Sequence, residues 1–230
     1  NYEGWIDING LSHEALEAMD IPLKEGGRLP AQNSGTLEFI YGNTVIQNFH
    51  NKSGGGGYWD TGELPDIDLE NDSLFVILDQ DAYYQSGSNV PGGEGDNAAP
   101  RVAKKFVVKA SGVVEGTIDD WNQFSYATYC DLDTLKNVLT KEFKGRAIPG
   151  QPTQKNGKPY KYFVYNSAKV KVDDFNNVET VSNKIREMGF ETYSNAEWVE
   201  SMKTQSAMIQ AVLGGIGAIS LLVAAIGIAN

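Results

Sequence analysis

The chain closes on an apolar run in which only Gln210 and Ser220 are polar across residues 207–229. This run is roughly 23 residues long, and a helix needs about 20 apolar residues to cross the hydrocarbon layer of a bilayer. A buried core helix is the alternative, but such helices are usually shorter and carry a polar face. The run therefore predicts a membrane-spanning helix and leaves the preceding residues to form the folded domain.

Small residues recur in the same run. Glycine in a soluble helix costs about 1 kcal/mol relative to alanine, but in lipid, small residues four positions apart let a second helix approach closely. Three such pairs are Ala211 with Gly215, Gly214 with Ala218, and Ser220 with Ala224. We expect this helix to pack against other membrane helices.

The residues before the run extend the helical pattern. Asn195 is a suitable N-cap, Glu197 lies in the first turn, and no proline follows. A helix over residues 195–230 would be roughly 50 Å long, so its first turns would stand outside the membrane as a stalk. A stripe with the alternating steps of a coiled-coil seam runs through Val199, Met202, Ser206, Ile209, Leu213, Ile216, Ser220, Val223 and Gly227. Such a stripe is typical of a rigid lever, although a passive tether would show it too.

Residues 169–194 predict a strand, a helix and a second strand. Val170 and Val172 alternate with charged residues, as in a half-buried strand. The helix is predicted from apolar residues at helical spacing, an aspartate N-cap and a glycine stop; these residues are Phe175, Val178, Val181, Ile185 and Met188, with Asp173 or Asp174 before them and Gly189 after them. A unit of this kind resembles half of a ferredoxin-like fold.

The earlier part of the chain predicts shorter elements of an α+β fold that is mixed and largely β. Strands are expected over residues 35–42 and 74–79, a short helix over residues 44–49, and a strand pair or bent strand around Gly112. Asp131 should cap a helix whose apolar positions are Leu132, Leu135, Val138 and Leu139. We expect three regions: residues 1–165, residues 166–194, and the stalk and membrane helix at residues 195–230.

Three segments rich in glycine, proline and asparagine separate these elements. They cover residues 50–68, 85–100 and 145–159. Such composition predicts mobile loops or hairpin tips.

Composition excludes some classes of function. The net charge of −11 argues against a nucleic-acid partner, because binding phosphate backbones needs clustered lysine and arginine. The single cysteine, Cys130, cannot form an internal disulfide.

Two groups of acidic residues lack the full pattern of a functional site. Asp66, Asp68, Glu70 and Asp72 alternate as in a calcium loop, but the glycine and the later glutamate of an EF-hand are missing. A solvated strand edge with Ile67 and Leu69 facing inward is the better interpretation. Asp79 and Asp81 end a predicted strand, and their adjacency does not define a glycosidase pair.

The cysteine and the glycine-rich segment also lack the pattern of a functional site. Cys130 would be a nucleophile only if the fold brought His13 or His50 to it, so a packed core cysteine is favoured. The four glycines at residues 54–57 lack the lysine and hydroxyl of a phosphate-binding loop and predict a flexible loop. Tyr58 and Trp59 beside them would either grip a partner or lie buried under that loop. We therefore assign no catalytic, cofactor-binding or metal-binding residue and expect no enzyme activity and no cofactor.

The string LGGIGAISLLVAAIGIAN at residues 213–230 resembles the second transmembrane segment of ABC transporter permeases of the MacB/FtsX type. The resemblance is specific over about the last quarter of the chain. Weaker similarities are LKEGGRLP at residues 23–30 and FVVKASGVVEG at residues 106–116.

The resemblance implies a MacB-like periplasmic core domain on the extracytoplasmic side of a cell membrane. Its porter-like subdomain would be split in sequence by a β-rich insertion, the sabre. The implied partners are an ABC ATPase subunit, a second permease protomer and membrane lipid. ATP hydrolysis in the separate subunit would move the stalk helices and export or extract a substrate.

This chain departs from the family pattern. The first membrane helix, the first porter segment and the downstream helices are not in it, so we expect a fragment of a longer protein. Two alternatives stay open: a membrane-tethered binding or sensor domain, and an anchored hydrolase that would use Cys130 or the aspartates.

Overall fold

A computed structural model describes residues 2–87, 102–165, 167–194 and 196–229. The chain divides into two compact units, Asn1–Ser167 and Ala168–Asn230. The strands are β1 (Tyr2–Gly4), β2 (Ile8–Leu11), β3 (Leu37–Tyr41), β4 (Phe49–Asn51), β5 (Leu74–Val76), β6 (Phe106–Val113) and β7 (Thr128–Asp131). The helices are α1 (His13–Met19), α2 (Tyr58–Thr61), α3 (Gln80–Gly87), α4 (Leu132–Glu142), α5 (Val178–Glu187) and α6 (Ala196–Ala229), with 3-10 helices at Val45–Asn48 and Phe175–Asn177.

The first unit contains a five-stranded mixed sheet in the order β2-β7-β3-β6-β5. The β2–β7 and β3–β6 pairs are parallel, whereas β3 with β7 and β5 with β6 are antiparallel. A separate antiparallel pair joins β1 to β4. The predicted α+β class is therefore confirmed, and the strands of the sheet run in mixed orientation.

Both faces of the central strand β3 are buried. Phe39 and Tyr41 belong to one core cluster with Cys130, while Ile40 belongs to a second cluster with Tyr129. Because successive side chains of a strand point to opposite faces, the two clusters lie on opposite sides of the sheet. This double burial explains why the strand reads as an almost continuous apolar run.

Several predicted elements of this unit are confirmed. β3 and β5 lie within the two predicted strands, and the predicted short helix is the 3-10 helix Val45–Asn48. The segment around Gly112 is one bent strand, because the β3–β6 register shifts so that Ser111 has no counterpart on β3. Asp131 caps α4 as predicted: its Oδ2 accepts from the Thr134 amide at 2.8 Å.

The three segments predicted to be loops are only partly irregular in the structure. Residues 50–68 include part of β4 and the one-turn helix α2, and Gln80–Gly87 form α3, which covers the start of the second predicted loop. The remainder of that loop, residues 88–100, lies outside the described residues. No helix or strand occurs over residues 145–159, where an isolated bridge joins Thr153 to Pro159.

The second unit confirms the predicted helix and contradicts its flanking strands. The helix is α5, preceded by the 3-10 helix whose cap is Asp174, and Gly189 follows it at a φ of 89°. The residues around Val170 and Val172, and those at 190–194, form no strand. A segment of alternating polar and apolar residues forms a strand only when a neighbouring strand supplies partners for its backbone hydrogen bonds. The described residues of this unit contain no sheet, so no such partner is present among them. The ferredoxin-like arrangement is not confirmed by the described residues.

Candidate functional site

Helix α6 is the most distinctive element of the second unit. It runs without interruption over 34 residues, about 50 Å at 1.5 Å per residue. Within it, Glu200–Ile226 contains an 18-residue stretch with a mean hydropathy of 2.2, none of which is buried, so this one helix of the described residues is long and apolar enough to cross a membrane. The predicted continuous helix is confirmed from Ala196 onward; its predicted cap, Asn195, lies outside the described residues.

The hydroxyl groups of α6 are compatible with an apolar environment. Ser220 Oγ donates to the carbonyl oxygen of Ile216 at 2.9 Å, and Thr204 Oγ1 donates to that of Glu200 at 2.9 Å. These bonds one turn back satisfy the hydroxyl protons within the helix, which lipid would otherwise leave unpaired. Ser220 can therefore lie in hydrocarbon without a partner helix.

The glycines of α6 leave space at its surface. A Cβ atom built at Gly214, Gly215 or Gly217 would meet nothing within 4 Å. The surface needed for close helix approach is therefore open here, while packing against a second helix stays a prediction.

A cation–π contact lies where the polar part of α6 ends. Lys203 Nζ is 4.1 Å from the centre of the Phe175 ring, which belongs to the 3-10 helix before α5. Lys203 is the last charged residue of the sequence. The contact attaches the stalk to the segment that leads into α5.

The acidic series around Asp68 forms a turn. Asp68 Oδ1 accepts the amides of Glu70 and Asn71, at 2.9 and 3.1 Å, and the Asn71 side chain donates to Oδ2 at 2.8 Å. These bonds hold the pKa of Asp68 below its usual value. The predicted strand edge is therefore wrong, because the side chain bonds its own backbone, but the inward positions are right: Leu69 is buried and Ile67 packs on the core.

Asp79 and Asp81 follow β5 by several residues and do not end a strand. Asp79 is buried beside the start of α3, where its Oδ1 accepts the Ala82 amide at 3.1 Å. Arg146 donates to its Oδ2 at 2.7 Å. Asp79 thus caps a helix and forms an ion pair.

Cys130 is a packed core residue, as predicted. It lies in β7 at 1% exposure, and burial raises the pKa of its thiol to about 12. The two histidines face glutamates: His13 Nε2 is 3.5 Å from Glu17, and His50 Nε2 is 3.5 Å from Glu3. A buried thiol with a raised pKa is unreactive. Across the described residues, no group of three or more His, Cys, Asp and Glu side chains is placed to hold a metal ion.

The glycine loop is ordered around α2. The amide of Gly57 donates to Asp60 Oδ2 at 3.0 Å, and Gly54, Gly55 and Gly56 have positive φ. Trp59 is 71% exposed and touches Tyr58 edge to face, with ring centres 5.3 Å apart. Of the two expectations for these rings, the structure favours exposure for Trp59.

Sequence reasoning missed two exposed aromatic pairs. Trp5 and Tyr84 lie nearly parallel with ring centres 6.1 Å apart, and Trp121 and Tyr126 are also 6.1 Å apart. All four side chains are more than half exposed. Trp5 and Tyr84 are far apart in the sequence, and Trp121 and Tyr126 lie in one turn-rich segment. Neither pair therefore has a regular sequence spacing from which it could be predicted. Tryptophan and tyrosine on a surface are typical of binding contacts.

A polar network lies beside the first pair. Tyr83, next to Tyr84 on α3, donates its hydroxyl to Glu3 Oε2 at 2.6 Å, and Lys52 Nζ is 3.2 Å from the same oxygen. The hydroxyl is the main cause of the lowered pKa of Glu3, with Lys52 adding to it. The network fixes α3 to the β1–β4 pair.

Comparison with known proteins gives no family for this chain. No family model, no curated protein and no solved structure matches it.

Proposed function

We propose that this chain is the extracytoplasmic domain and second membrane segment of an ABC transporter permease of the MacB/FtsX type. It couples ATP hydrolysis in a separate subunit to mechanical export or extraction of a substrate. The observation that carries the proposal is the unbroken course of α6 from polar residues near Glu200 into a fully exposed apolar segment. The resemblance of residues 213–230 to the family's second membrane segment supports it.

The mechanical role depends on stiffness. A helix without proline transmits a rotation or translation along its axis, whereas a flexible linker does not. α6 contains no proline, and its contact through Lys203 with Phe175 joins the stalk to the α5 segment. Movement of α6 in the membrane plane would therefore move α5.

The porter-like fold belongs to the same proposal. α5 carries an apolar face whose residues Val178, Val181 and Ile185 are only partly buried. A second strand-helix-strand unit would cover this face and supply the edge that the residues around Val170 need to become a strand.

A membrane-tethered binding or sensor domain is the second candidate. The exposed pairs Trp5–Tyr84 and Trp121–Tyr126 favour it, because large aromatic side chains at a surface are enriched in binding sites. This function would need the anchor but no lever and no ATPase.

One pair of variants separates the two candidates. Residues 204–207 are replaced by four glycines, which makes the stalk flexible, or by four alanines, which keeps it helical. Spin labels at Asp81→Cys in a Cys130→Ala background report the distance between the two protomers' outer domains in the permease–ATPase complex.

If α6 acts as a lever, addition of ATP changes the distance between the spin labels in the alanine variant and leaves it unchanged in the glycine variant. The same distance with and without ATP in the alanine variant, or no ABC ATPase bound to the permease in its native membrane, contradicts the transporter proposal.

A further inference from the structure

A basic segment follows α4 in this acidic chain. Residues 143–172 contain seven lysine and arginine residues, whereas all 30 aspartate and glutamate residues lie outside this segment. Four of its exposed lysines form no ion pair within the described part of the chain: Lys144, Lys155, Lys158 and Lys161. Because no carboxylate neutralises these four lysines, their charge can attract an anionic partner.

Part of this segment is an ordered loop, which we call the basic loop (residues 151–164). The Gln151 side chain closes its base: Nε2 donates to the carbonyl oxygen of Val164 at 3.0 Å, and the Val164 amide donates to Oε1 at 2.8 Å. At the tip, the amide of Gly157 donates to the carbonyl oxygen of Gln154 at 2.9 Å and so closes a turn. The loop therefore has a defined tip, and two of the four lysines belong to it.

Tyrosines lie beside these lysines. Lys155 is within the turn, Lys158 directly follows it, and Lys161 stands between Tyr160 and Tyr162 in the sequence. The two tyrosine rings lie against each other, with centres 5.2 Å apart, and the residues are 40% and 65% exposed. Tyrosine has an apolar ring and a polar hydroxyl, and it is enriched where membranes meet water. The basic loop therefore combines cations with aromatic rings suited to a membrane surface.

A bilayer is the anionic surface that lies within reach of the basic loop. About 40 residues separate Tyr165 from Lys203, after which α6 carries no charge. With α6 in a bilayer, this short connection keeps the first unit at a high effective concentration near the lipid headgroups. Anionic headgroups repel the acidic remainder of the chain, and only charges within a screening length of about 10 Å contribute strongly. Anionic lipid therefore favours the orientation in which the basic loop faces the bilayer.

We propose that the basic loop binds the surface of the anionic bilayer in which α6 is anchored. Its lysines lie by the lipid phosphate groups, and Tyr160 and Tyr162 lie at the level of the headgroups. The contact determines which side of the first unit faces the membrane. The proposal rests on the membrane location of α6, which both candidate functions share, and does not depend on whether α6 is a lever.

The test uses the whole chain in lipid nanodiscs, with a fluorescent label at Thr153→Cys in a Cys130→Ala background. Thr153 is exposed and lies two residues from Lys155, so the label reports on the basic loop without removing a lysine. A lipid with a spin-labelled headgroup quenches the label only when the loop lies at the bilayer. We expect strong quenching with phosphatidylglycerol in the nanodisc and little with phosphatidylcholine alone. Quenching should be lost in about 1 M salt, where the screening length is about 3 Å.

Three lysine substitutions test the charge of the basic loop: Lys155→Gln, Lys158→Gln and Lys161→Gln. Each should lower the equilibrium constant for binding of the loop to the bilayer about fivefold. The matched control removes the same charge from three exposed lysines outside the segment: Lys24→Gln, Lys105→Gln and Lys109→Gln. Each control substitution should change the constant by less than about twofold.

Two tyrosine substitutions test the aromatic part. Tyr160→Ser and Tyr162→Ser should together weaken binding several-fold, because the rings no longer enter the headgroup region. Tyr126→Ser, at a tyrosine that is 57% exposed and lies outside the segment, should leave binding unchanged.

Three results would overturn the proposal. The first is equal quenching with and without phosphatidylglycerol. The second is an equal effect of the loop lysines and the control lysines, since net charge alone would then govern the contact. The third is a label that is shielded from a water-soluble quencher but not reached by the spin-labelled lipid, because the loop would then bind protein.

Failure of this proposal differs from failure of the membrane placement. A chain that does not co-elute with nanodiscs contradicts the location of α6 and, with it, both candidate functions and this proposal. A chain that co-elutes without quenching of the label contradicts this proposal alone.

Discussion

Arg146 donates to the carboxylate of Asp79 across 2.7 Å and so connects the segment that follows α4 with the beginning of α3. The Asp79 side chain is 4% exposed and Arg146 is 32% exposed. The second guanidinium nitrogen donates to the carbonyl oxygen of Glu142 at 3.2 Å. The pair thus holds two helices of the first unit through one largely buried carboxylate.

Replacing Asp79 should destabilise the first unit. Asp79→Ala removes the helix cap and leaves Arg146 with only the longer, 4.0 Å contact to the Glu142 carboxylate, so we expect the free energy of unfolding to fall by about 2–4 kcal/mol. Asp81→Ala, at an exposed position of the same helix, should change it by less than about 0.5 kcal/mol. Urea unfolding in mild detergent measures both. Equal effects of the two substitutions would show that the ion pair contributes nothing.

Gly42 is required by a close approach of two backbones. A Cβ built at Gly42 would overlap the carbonyl group of Ser125, whereas one at Gly35, before the same strand, would meet nothing within 4 Å. Gly42→Ala should therefore lower the free energy of unfolding by about 3 kcal/mol or more. Gly35→Ala should leave it unchanged or slightly higher. A shift of the thermal midpoint in circular dichroism distinguishes them, and a stable Gly42→Ala protein would contradict the described β3 environment.

The Cys130 thiol should make stability depend on alkaline pH. Burial raises its pKa to about 12 from an ordinary value of 9.0, so the folded state keeps its proton when the unfolded state has lost it. Its contribution is fully present below about pH 9 and is lost as the pH rises toward 12, by up to about 1.4 kcal/mol per pH unit.

A comparison with Cys130→Ala isolates this effect. In the variant, the fall of the free energy of unfolding with pH that is due to the thiol should be absent between about pH 9 and 10. This range lies below the pH at which the buried hydroxyls of Tyr41 and Tyr129, whose pKa values are also raised, begin to contribute. Unfolding at pH 8, 9 and 10 measures the slope. Identical slopes in both proteins would show that the thiol is accessible in the folded state.

The small residues of α6 should be needed for assembly in the membrane. Gly214→Leu and Gly217→Leu keep the segment apolar but remove the close-approach surface, so association with neighbouring helices should weaken by about 1 kcal/mol or more. A charge at Gly214, Gly217 or Ala218 should block assembly altogether. Val212→Leu is the apolar control. Complex size in membranes is the measurement; an unaltered size for the glycine variants would refute the packing prediction.

The elements predicted correctly are those that are specified by residues within or next to the element itself. Asp131 and the apolar spacing after it specify α4 within a dozen residues, and the absence of proline and of charge specifies α6. The central strand β3 is recognisable because both of its faces are apolar. In each case propensity, capping and burial agree.

The elements that were missed or wrong depend on distant partners. All four residues of β7 are buried, including Thr128 and Asp131, so this strand shows neither alternation nor a long apolar run. The segment around Val170 alternates correctly but has no edge to pair with.

The β2–β7 pairing has a consequence for synthesis of the protein. Ile8 pairs with Thr128, so one edge strand of the sheet stays unpaired until about 120 later residues have left the ribosome. The central strand β3 likewise cannot pair with β6 until more than 60 further residues have been synthesised. Such long sequence separations slow folding. The first unit therefore completes its sheet late in synthesis, but β7 is translated well before α6 begins, so folding of this unit does not have to await the destination of the apolar helix.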